Sequence, residues 1–324
     1  MGDLCISLPA YFGLTGARAV KERGAFLVNY GAENYKIYKT SETPREIYAR
    51  FKLLEQLDEA GFVFTDAIVP TAGGVPFVTL GRDTFVMTRF FCGREPHMNC
   101  TRDVKQLART IAQFHLHARN AGKVDIPAAP PLGEVFAKQL AMLNNIMKQL
   151  GRSPRLSDFD VLVLKHAPAF AALGRGAIEM LAQTDYLKLH ESAVNNGCVC
   201  HNALKEETFV VLGETEETCA ITRFDEAVYD LQLSDLAAII RRYARKSFHE
   251  ISVSQFLEIY SQTVTLPDGC EKILRAQLAF PWAFLKIVTS FYSKKRNFIP
   301  ASITTRMEEV LNEQERYDGY IKDM

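Results

Sequence analysis

The chain has 324 residues, 48% hydrophobic and 23% charged, which is enough for two domains or one two-lobed domain with a sizeable core. Its 38 basic and 38 acidic residues cancel, which argues against a dedicated nucleic-acid-binding protein. Seven cysteines, an odd number without regular spacing, argue against a disulfide framework and favour a reducing compartment.

The N-terminus and the hydropathy of the chain predict cytoplasmic synthesis without a secretion signal. The first residues, MGDLCISLPAYFGL, carry an acidic Asp3 and have no basic segment ahead of the apolar ones. No apolar run is expected to approach the ~20 residues that a membrane-spanning helix needs. We therefore expect no membrane as partner and, given the zero net charge, no nucleic acid.

Residues 1–92 are predicted to form a small lobe, an antiparallel sheet with one helix. The β-prone runs AFLVNY (25–30) and NYKIYK (34–39) flank the turn GAE, and PFVTL and TFVMTRFF flank GRD, so two hairpins are expected. Between them, TPREIYARFKLLEQLDEAG (43–61) predicts an amphipathic helix with Thr43 as its N-cap. The expected order is strand, strand, helix, strand, strand.

Residues 93–324 are predicted to form a large, mainly helical lobe. Helical periodicity occurs near 103–118, 132–150, 158–183, 233–246, 252–264, 268–292 and 301–322. Two short apolar runs around a polar turn, at 208–224, predict a hairpin inserted among these helices. This order indicates an α+β fold of the two-lobed protein-kinase-like or aminoglycoside-phosphotransferase-like type.

Four motifs follow one another in an order that carries a family resemblance. They are MTRFFCGREPHM (87–98), LARTIAQFHLHAR (107–119), VYDLQLSDLAAII (228–240) and LAFPWAFLKIVTSFYSKKRNFIP (278–300). Thr88, Gly93, Arg94 and Glu95 match the first motif's usual Thr-Glu-Trp-Ile-x-Gly-Arg-Glu. Together the motifs resemble the spore-coat CotS-type family of kinase-like proteins over nearly the whole chain. The resemblance implies a place in the bacterial spore coat, with other spore-coat proteins as partners.

The resemblance also implies where a phosphotransferase of this kind would hold its chemical groups. The family's His-x-Asp-x-x-x-x-Asn pattern, laid on CVCHNALKEETFVV (198–211), places its histidine at His201 and its catalytic base at Ala203. The amide that binds the metal falls on Thr208, and the aspartate that binds the metal falls on Arg223. The resemblance therefore implies a catalytic loop whose chemical groups have been replaced.

These replacements remove what phosphoryl transfer needs. Ala203 accepts no proton, Thr208 is a weak neutral ligand, and Arg223 places a permanent positive charge where Mg²⁺ would bind. Losing a general base alone costs ~10²–10⁴-fold in rate. We therefore expect a catalytically inactive kinase-like protein with a structural or binding role, without a resident metal or cofactor.

The other positions of the nucleotide cleft are predicted with alternatives open. Tyr38 aligns with the lysine that would bind the phosphates. Lys36 lies on the same strand face, and Lys39 lies on the opposite face unless the strand bulges. The acidic partner of the phosphate-binding lysine would be Glu55 or Glu46 on the helix that follows. The cleft candidates are Lys36, Tyr38, Lys39, Glu55, Arg89, Phe91 and Asp225, and the loop scaffold is His201 and Asp235.

Two other functions remain open from the sequence. An active small-molecule phosphotransferase, using ATP and Mg²⁺ to phosphorylate a hydroxyl group, would need displaced carboxylates such as Asp225, Glu206 or Glu207. A metal-binding protein would use the thiolates and imidazole that suit Zn²⁺. Its ligands would come from Cys198, Cys200, His201 and Cys219.

Overall fold

The computed structural model describes residues 2–22, 24–213, 218–246, 249–293 and 300–322. Helices and a sheet combine in it, so the α+β prediction is confirmed. The chain divides into one unit of residues 1–128, 194–235 and 259–264, and another of residues 129–193, 236–258 and 265–324. The division after residue 92 stays a prediction.

The first unit contains a six-stranded antiparallel sheet with the order β1-β2-β3-β6-β4, in which β5 also pairs with β6. The strands are β1 (Ala19–Glu22), β2 (Ala25–Tyr30), β3 (Glu33–Thr40), β4 (Ile68–Val69), β5 (Val78–Leu80) and β6 (Asp83–Arg89). The pairs β2–β3 and β5–β6 are the two predicted hairpins. Strands β1 and β4 escape the prediction because they are too short to show alternation.

The two faces of β3 have different roles. Ile37 is fully buried in a core cluster together with Leu8, which belongs to helix α1 (Gly2–Tyr11). Successive side chains of a strand extend to opposite faces, so Lys36 and Tyr38 lie on the other face of the sheet. This second face forms part of the candidate site.

Helix α2 (Pro44–Glu59) begins at the predicted N-cap. The Thr43 hydroxyl accepts the N–H of Glu46, and the Glu46 carboxylate accepts the N–H of Thr43 at 2.7 Å. Such a capping box satisfies two backbone donors that a helix start leaves without partners. Ile47 and Leu54 are buried on the inner side of the helix.

Helix α3 (Thr101–Ala118) and two short antiparallel pairs complete the first unit. Strand β7 (Val199–Cys200) pairs with β10 (Val228–Tyr229), and β8 (Phe209–Leu212) pairs with β9 (Thr218–Ile221). The pair β8–β9 is the predicted inserted hairpin, although its turn at 214–217 lies outside the described residues. Strands β7 and β10 have two residues each and leave no pattern in the sequence.

The second unit is helical. The remaining helices are α4 (Leu132–Leu150), α5 (Asp158–Ala182), α6 (Tyr186–Asn195), α7 (Leu233–Tyr243), α8 (Val253–Ser261), α9 (Cys270–Ala279), α10 (Trp282–Tyr292) and α11 (Ala301–Lys322). Prediction of one helix over 268–292 is wrong, because Phe280 is extended and Pro281 stands before α10. Helix α6 was not expected. The signature at 278–300 falls partly outside the described residues.

Helix α5 is long and apolar enough, by length and composition alone, to cross a membrane. The expectation that no segment reaches this level is corrected for α5, although a core helix passes the same test. Phe170 of this helix stacks on Phe284 of α10 with 4.0 Å between ring centroids. Leu140 of α4 approaches Gly174 so closely that a methyl group there would lie 2.6 Å from it. These contacts show that one side of α5 packs closely against α4 and α10, while 33% of its apolar window is buried.

Candidate functional site

A cavity of about 420 Å³ lies in the first unit and is called the cleft below. Its lining includes residues of β2, β3, β6 and β8, of the chain directly after β6 and of the segment that follows β9. The volume lies in the ~300–1,000 Å³ range of small-molecule sites. The cleft thus gathers residues that are far apart in the sequence.

Five of the seven predicted cleft residues line it, namely Lys36, Tyr38, Arg89, Phe91 and Asp225. The other two lie elsewhere. Lys39 pairs with Asp83 at 2.6 Å, because residue 39 extends from the opposite strand face to Lys36. Glu55 pairs with Lys52 at 2.6 Å on the exposed side of α2.

Arg50 of α2 hydrogen-bonds to Tyr38, whereas Glu46 bonds to Thr43 and Glu55 pairs with Lys52. The Arg50 guanidinium donates to the Tyr38 hydroxyl at 2.9 Å and to the Glu42 carboxylate at 2.7 Å. Burial raises the pKa of Tyr38 to about 12, so its hydroxyl remains protonated. A tyrosine–arginine contact therefore stands where a lysine–carboxylate pair is expected. The sequence signal for this contact is Arg50 itself, a basic residue on the apolar face of α2, which the sequence analysis missed.

Asp66 is a second lining residue that the sequence analysis missed. Its Oδ2 accepts the backbone N–H of Arg223 at 3.0 Å, whereas its buried Oδ1 has no hydrogen-bond partner within the described part of the chain. Burial raises the pKa of this carboxyl to about 6. No local pattern around Asp66 points to the cleft, because Arg223 lies 157 residues further along the chain.

Arg223 lines the cleft from a strained backbone position, with φ of +68° in the left-handed region. Burial lowers the pKa of Lys36, and the positive charge of Arg223 lowers it further. These two cations are therefore close enough to repel each other. The carboxylates of Glu42, Asp66, Glu207 and Asp225 line the same cavity, so the cleft carries charges of both signs.

The segment that follows β7 is held by one buried carboxylate. Asp235 accepts the N–H of His201 at 2.6 Å and the N–H of Asn202 at 2.8 Å. The Nε2 of His201 lies 2.9 Å from the carbonyl oxygen of Thr222, which only accepts, so this nitrogen carries the proton. His201 and Asp235 thus connect the loop to α7 and to the chain beyond β9.

Ala203 and Thr208 are the two loop positions at which the sequence analysis predicts replaced chemical groups. Thr208 is 1% exposed, and its hydroxyl donates to the carbonyl of Lys205 at 2.7 Å and accepts the N–H of the same residue. Both functions of that hydroxyl are thereby used inside the loop. Ala203 supplies only a methyl group. Neither residue lines the cleft.

Across the described residues, three buried side chains of ligand type lie close together, His115, Cys200 and Asp235, within 4.8 Å of one another. Both nitrogens of His115 are in hydrogen bonds, with Tyr260 at 2.8 Å and with Asp235 at 3.2 Å. Burial raises the pKa of the Cys200 thiol well above its ordinary value, which opposes the thiolate that Zn²⁺ needs. The other predicted ligands, Cys198, His201 and Cys219, are not part of this group.

Comparison with known sequences places this geometry in a family context. The profile of the family described as "Spore coat putative kinase YutH" matches residues 7–324. The endospore coat-associated protein YutH of Bacillus subtilis is 24% identical over 221 residues, which are 65% of this chain. The match spans 61% of the length of that relative.

Solved structures share the fold. An aminoglycoside phosphotransferase from Alicyclobacillus acidocaldarius superposes with a TM-score of 0.79 at 16% identity, covering 94% of this chain and 90% of that one. The AMP-bound spectinomycin phosphotransferase gives 0.70 at 13% identity over 97% of both chains. A microcompartment-associated aminopropanol kinase gives 0.63 at 14% identity, covering 99% of this chain and 98% of that one. At these identities the similarity establishes an aminoglycoside-phosphotransferase-like fold and confirms that prediction.

Proposed function

The chain belongs to the YutH family of spore-coat kinase-like proteins, and from this premise we propose that it is a catalytically inactive, ligand-binding component of the bacterial spore coat. The name of the Bacillus subtilis relative, an endospore coat-associated protein, supports the proposed location in the spore coat. In this proposal the chain is made in the cytoplasm and assembles with other spore-coat proteins.

One observation carries the proposed loss of activity, the placement of Arg223 in the cleft. Phosphoryl transfer depends on Mg²⁺ ions that bridge the phosphates and on a carboxylate that orients the acceptor. Arg223 brings a fixed positive charge in place of the metal, and Ala203 leaves the acceptor without a carboxylate. Removing metal and base together removes most of the means of stabilising the transition state.

The cleft retains the means to bind a phosphate-bearing ligand weakly. Lys36 and Arg223 supply positive charge, and Phe91 supplies an apolar surface beside them. The carboxylates of Asp66 and Asp225 line the same cavity and oppose a polyanion. We infer that ATP binds weakly and that Mg²⁺ does not strengthen its binding.

The test is calorimetric titration of the full chain with ATP, in excess Mg²⁺ and in EDTA, together with a coupled assay of ADP release. We expect dissociation constants that agree within about threefold and no turnover above buffer, because the fixed positive charge of Arg223 opposes Mg²⁺ beside the carboxylates that line the cleft. Lys36→Gln should weaken ATP binding by about three- to tenfold, the worth of one charge-assisted contact.

Lys39→Gln is the matched control, because it removes the same charge from the same strand on the face away from the cleft. It should leave ATP affinity unchanged. Turnover that requires Mg²⁺, or ATP binding that disappears in EDTA, would refute the inactive assignment.

The second candidate is an active small-molecule phosphotransferase with displaced carboxylates. Asp225 and Glu207 line the cleft, as does the buried Asp66, and this placement favours the candidate. Of these, Glu207 forms an ion pair with Lys205 at 2.7 Å. Phosphate transfer from ATP to a sugar or amino alcohol that is lost in Asp225→Ala would establish this activity.

A further inference from the structure

A second cavity, of about 630 Å³, lies within the second unit between the end of α7 and helices α10 and α11. Its lining shares no residue with the cleft. Five basic side chains line it against two carboxylates, Glu309 and Glu313. The basic residues are Arg241, Arg242, Arg245, Lys286 and Arg306. We call this space the basic cavity.

The positive charge of the basic cavity is only partly compensated by its own carboxylates. Arg245 lies 3.9 Å from Glu313, at the limit of an ion pair. For Lys286 and Arg306, no ion pair occurs with any residue of the described ranges. Burial lowers the pKa of Arg241, and the neighbouring charges of Arg245 and Arg242 lower it further. The like charges therefore repel one another, and a bound anion would relieve that repulsion.

An aromatic wall adds a second kind of contact. The guanidinium of Arg241 lies over the ring of Trp282, 5.6 Å from its centroid. The indole N–H of Trp282 is buried, and no acceptor for it exists among the residues that the structure describes. Trp282 itself lines the cavity, so its ring reports on what binds there. Ile287 and Phe291 extend the apolar surface.

We propose that the basic cavity binds a small multivalent oxyanion, a molecule that carries two or more phosphate or carboxylate groups. Guanidinium groups match both chemistries, because their planar N–H donors pair with two oxygens at once. The volume is that of a small-molecule site and favours such a ligand over a folded partner. This inference is independent of the proposed function of the cleft, from which it differs in residues and in ligand.

Trp282 makes the proposal directly measurable, because it is the single tryptophan of the chain. Titration of the full chain at constant ionic strength, with tripolyphosphate in one arm and citrate in the other, should change its fluorescence in a saturable way. The arm that saturates at the lower concentration distinguishes a phosphate ligand from a polycarboxylate. Arg223→Ala, in the cleft, should leave the response unchanged.

The variant Lys286→Gln/Arg306→Gln removes two exposed charges of the basic cavity without disturbing the core. It should weaken binding of the effective probe by about tenfold or more, the worth of losing two charge-assisted contacts. Its matched control, Arg175→Gln/Lys272→Gln, removes two exposed charges that lie outside the cavity lining. The control should bind as the wild type does.

Three results would overturn the proposal. One is a fluorescence signal that does not saturate with either probe, and another is equal weakening in the two double variants, which would indicate a nonspecific charge effect. The third is saturation by a hexaglutamate peptide with no response to either small anion, which would assign the surface to an acidic protein segment. Circular dichroism of each variant confirms that it is folded before titration.

Discussion

The backbone at Arg223 already suits an aspartate. Its φ of +68° lies in the left-handed region, which aspartate and asparagine adopt more readily than other non-glycine residues. Arg223→Asp would therefore add a carboxylate beside Asp66 and Asp225 at little cost to the backbone. We expect Mg²⁺, at ten times its dissociation constant, to stabilise this variant by about 1–2 kcal/mol in urea unfolding and to leave the wild type unaffected.

Asparagine at the same position separates charge from backbone effects. Arg223→Asn has the same backbone preference but adds no negative charge, so Mg²⁺ should not stabilise it. A Mg²⁺ response in the wild type would contradict the view that Arg223 excludes the metal, whereas the same response in the aspartate and asparagine variants alone would show that a new carboxylate is not needed once the arginine is removed. Turnover should remain absent in all three proteins because Ala203 still supplies no base.

The segment after β6 lies directly against the inserted hairpin, and Gly93 makes this possible. Arg94 and Val211 exchange backbone hydrogen bonds at 3.2 and 2.8 Å. A methyl group on Gly93 would lie 2.3 Å from the carbonyl oxygen of Val211. Gly93→Ala must therefore push two backbone segments apart, and we expect a loss of about 1–3 kcal/mol in the free energy of unfolding.

Gly133→Ala serves as the control for this element. Gly133 lies in α4, and nothing lies within 4 Å of where its methyl group would be. Alanine there should leave stability unchanged or raise it by up to about 1 kcal/mol, because alanine favours helix. Urea unfolding of both variants tests the contrast, and an unaffected Gly93→Ala protein would show that the close approach is not required.

Local patterns account for the elements that the sequence predicts correctly. Strand β2, helix α2 and helix α4 occur where alternation, capping and periodicity place them, because these signals lie within each segment. The arginine of the Gly93-Arg94 motif has a structural role, because its guanidinium pairs with the Asp103 carboxylate at 2.7 Å. Strands of two residues were missed because they are too short to show alternation. The Asp66–Arg223 contact was missed because the two residues lie 157 positions apart in the sequence.

The stability of the whole molecule depends on pH through its buried titratable groups. His115 and His201 are fully buried, and burial lowers the pKa of both imidazoles. As pH falls below about 6.5, the unfolded chain binds protons that the folded chain does not, so these histidines make the fold less stable in acid. Each contributes at most about 1.4 kcal/mol per pH unit.

Asp66 has the opposite effect. Its pKa is raised to about 6 in the fold, against about 3.9 for an unfolded aspartate, so the folded state holds a proton that the unfolded state has lost. Its contribution is complete below pH ~4 and is lost as pH rises through ~6. The wild type should therefore lose about 1–2 kcal/mol of unfolding free energy relative to Asp66→Asn between about pH 4.5 and 7.5. Urea unfolding of both proteins across this range measures the difference, and a difference that stays constant with pH would show that Asp66 is ionised in the fold throughout.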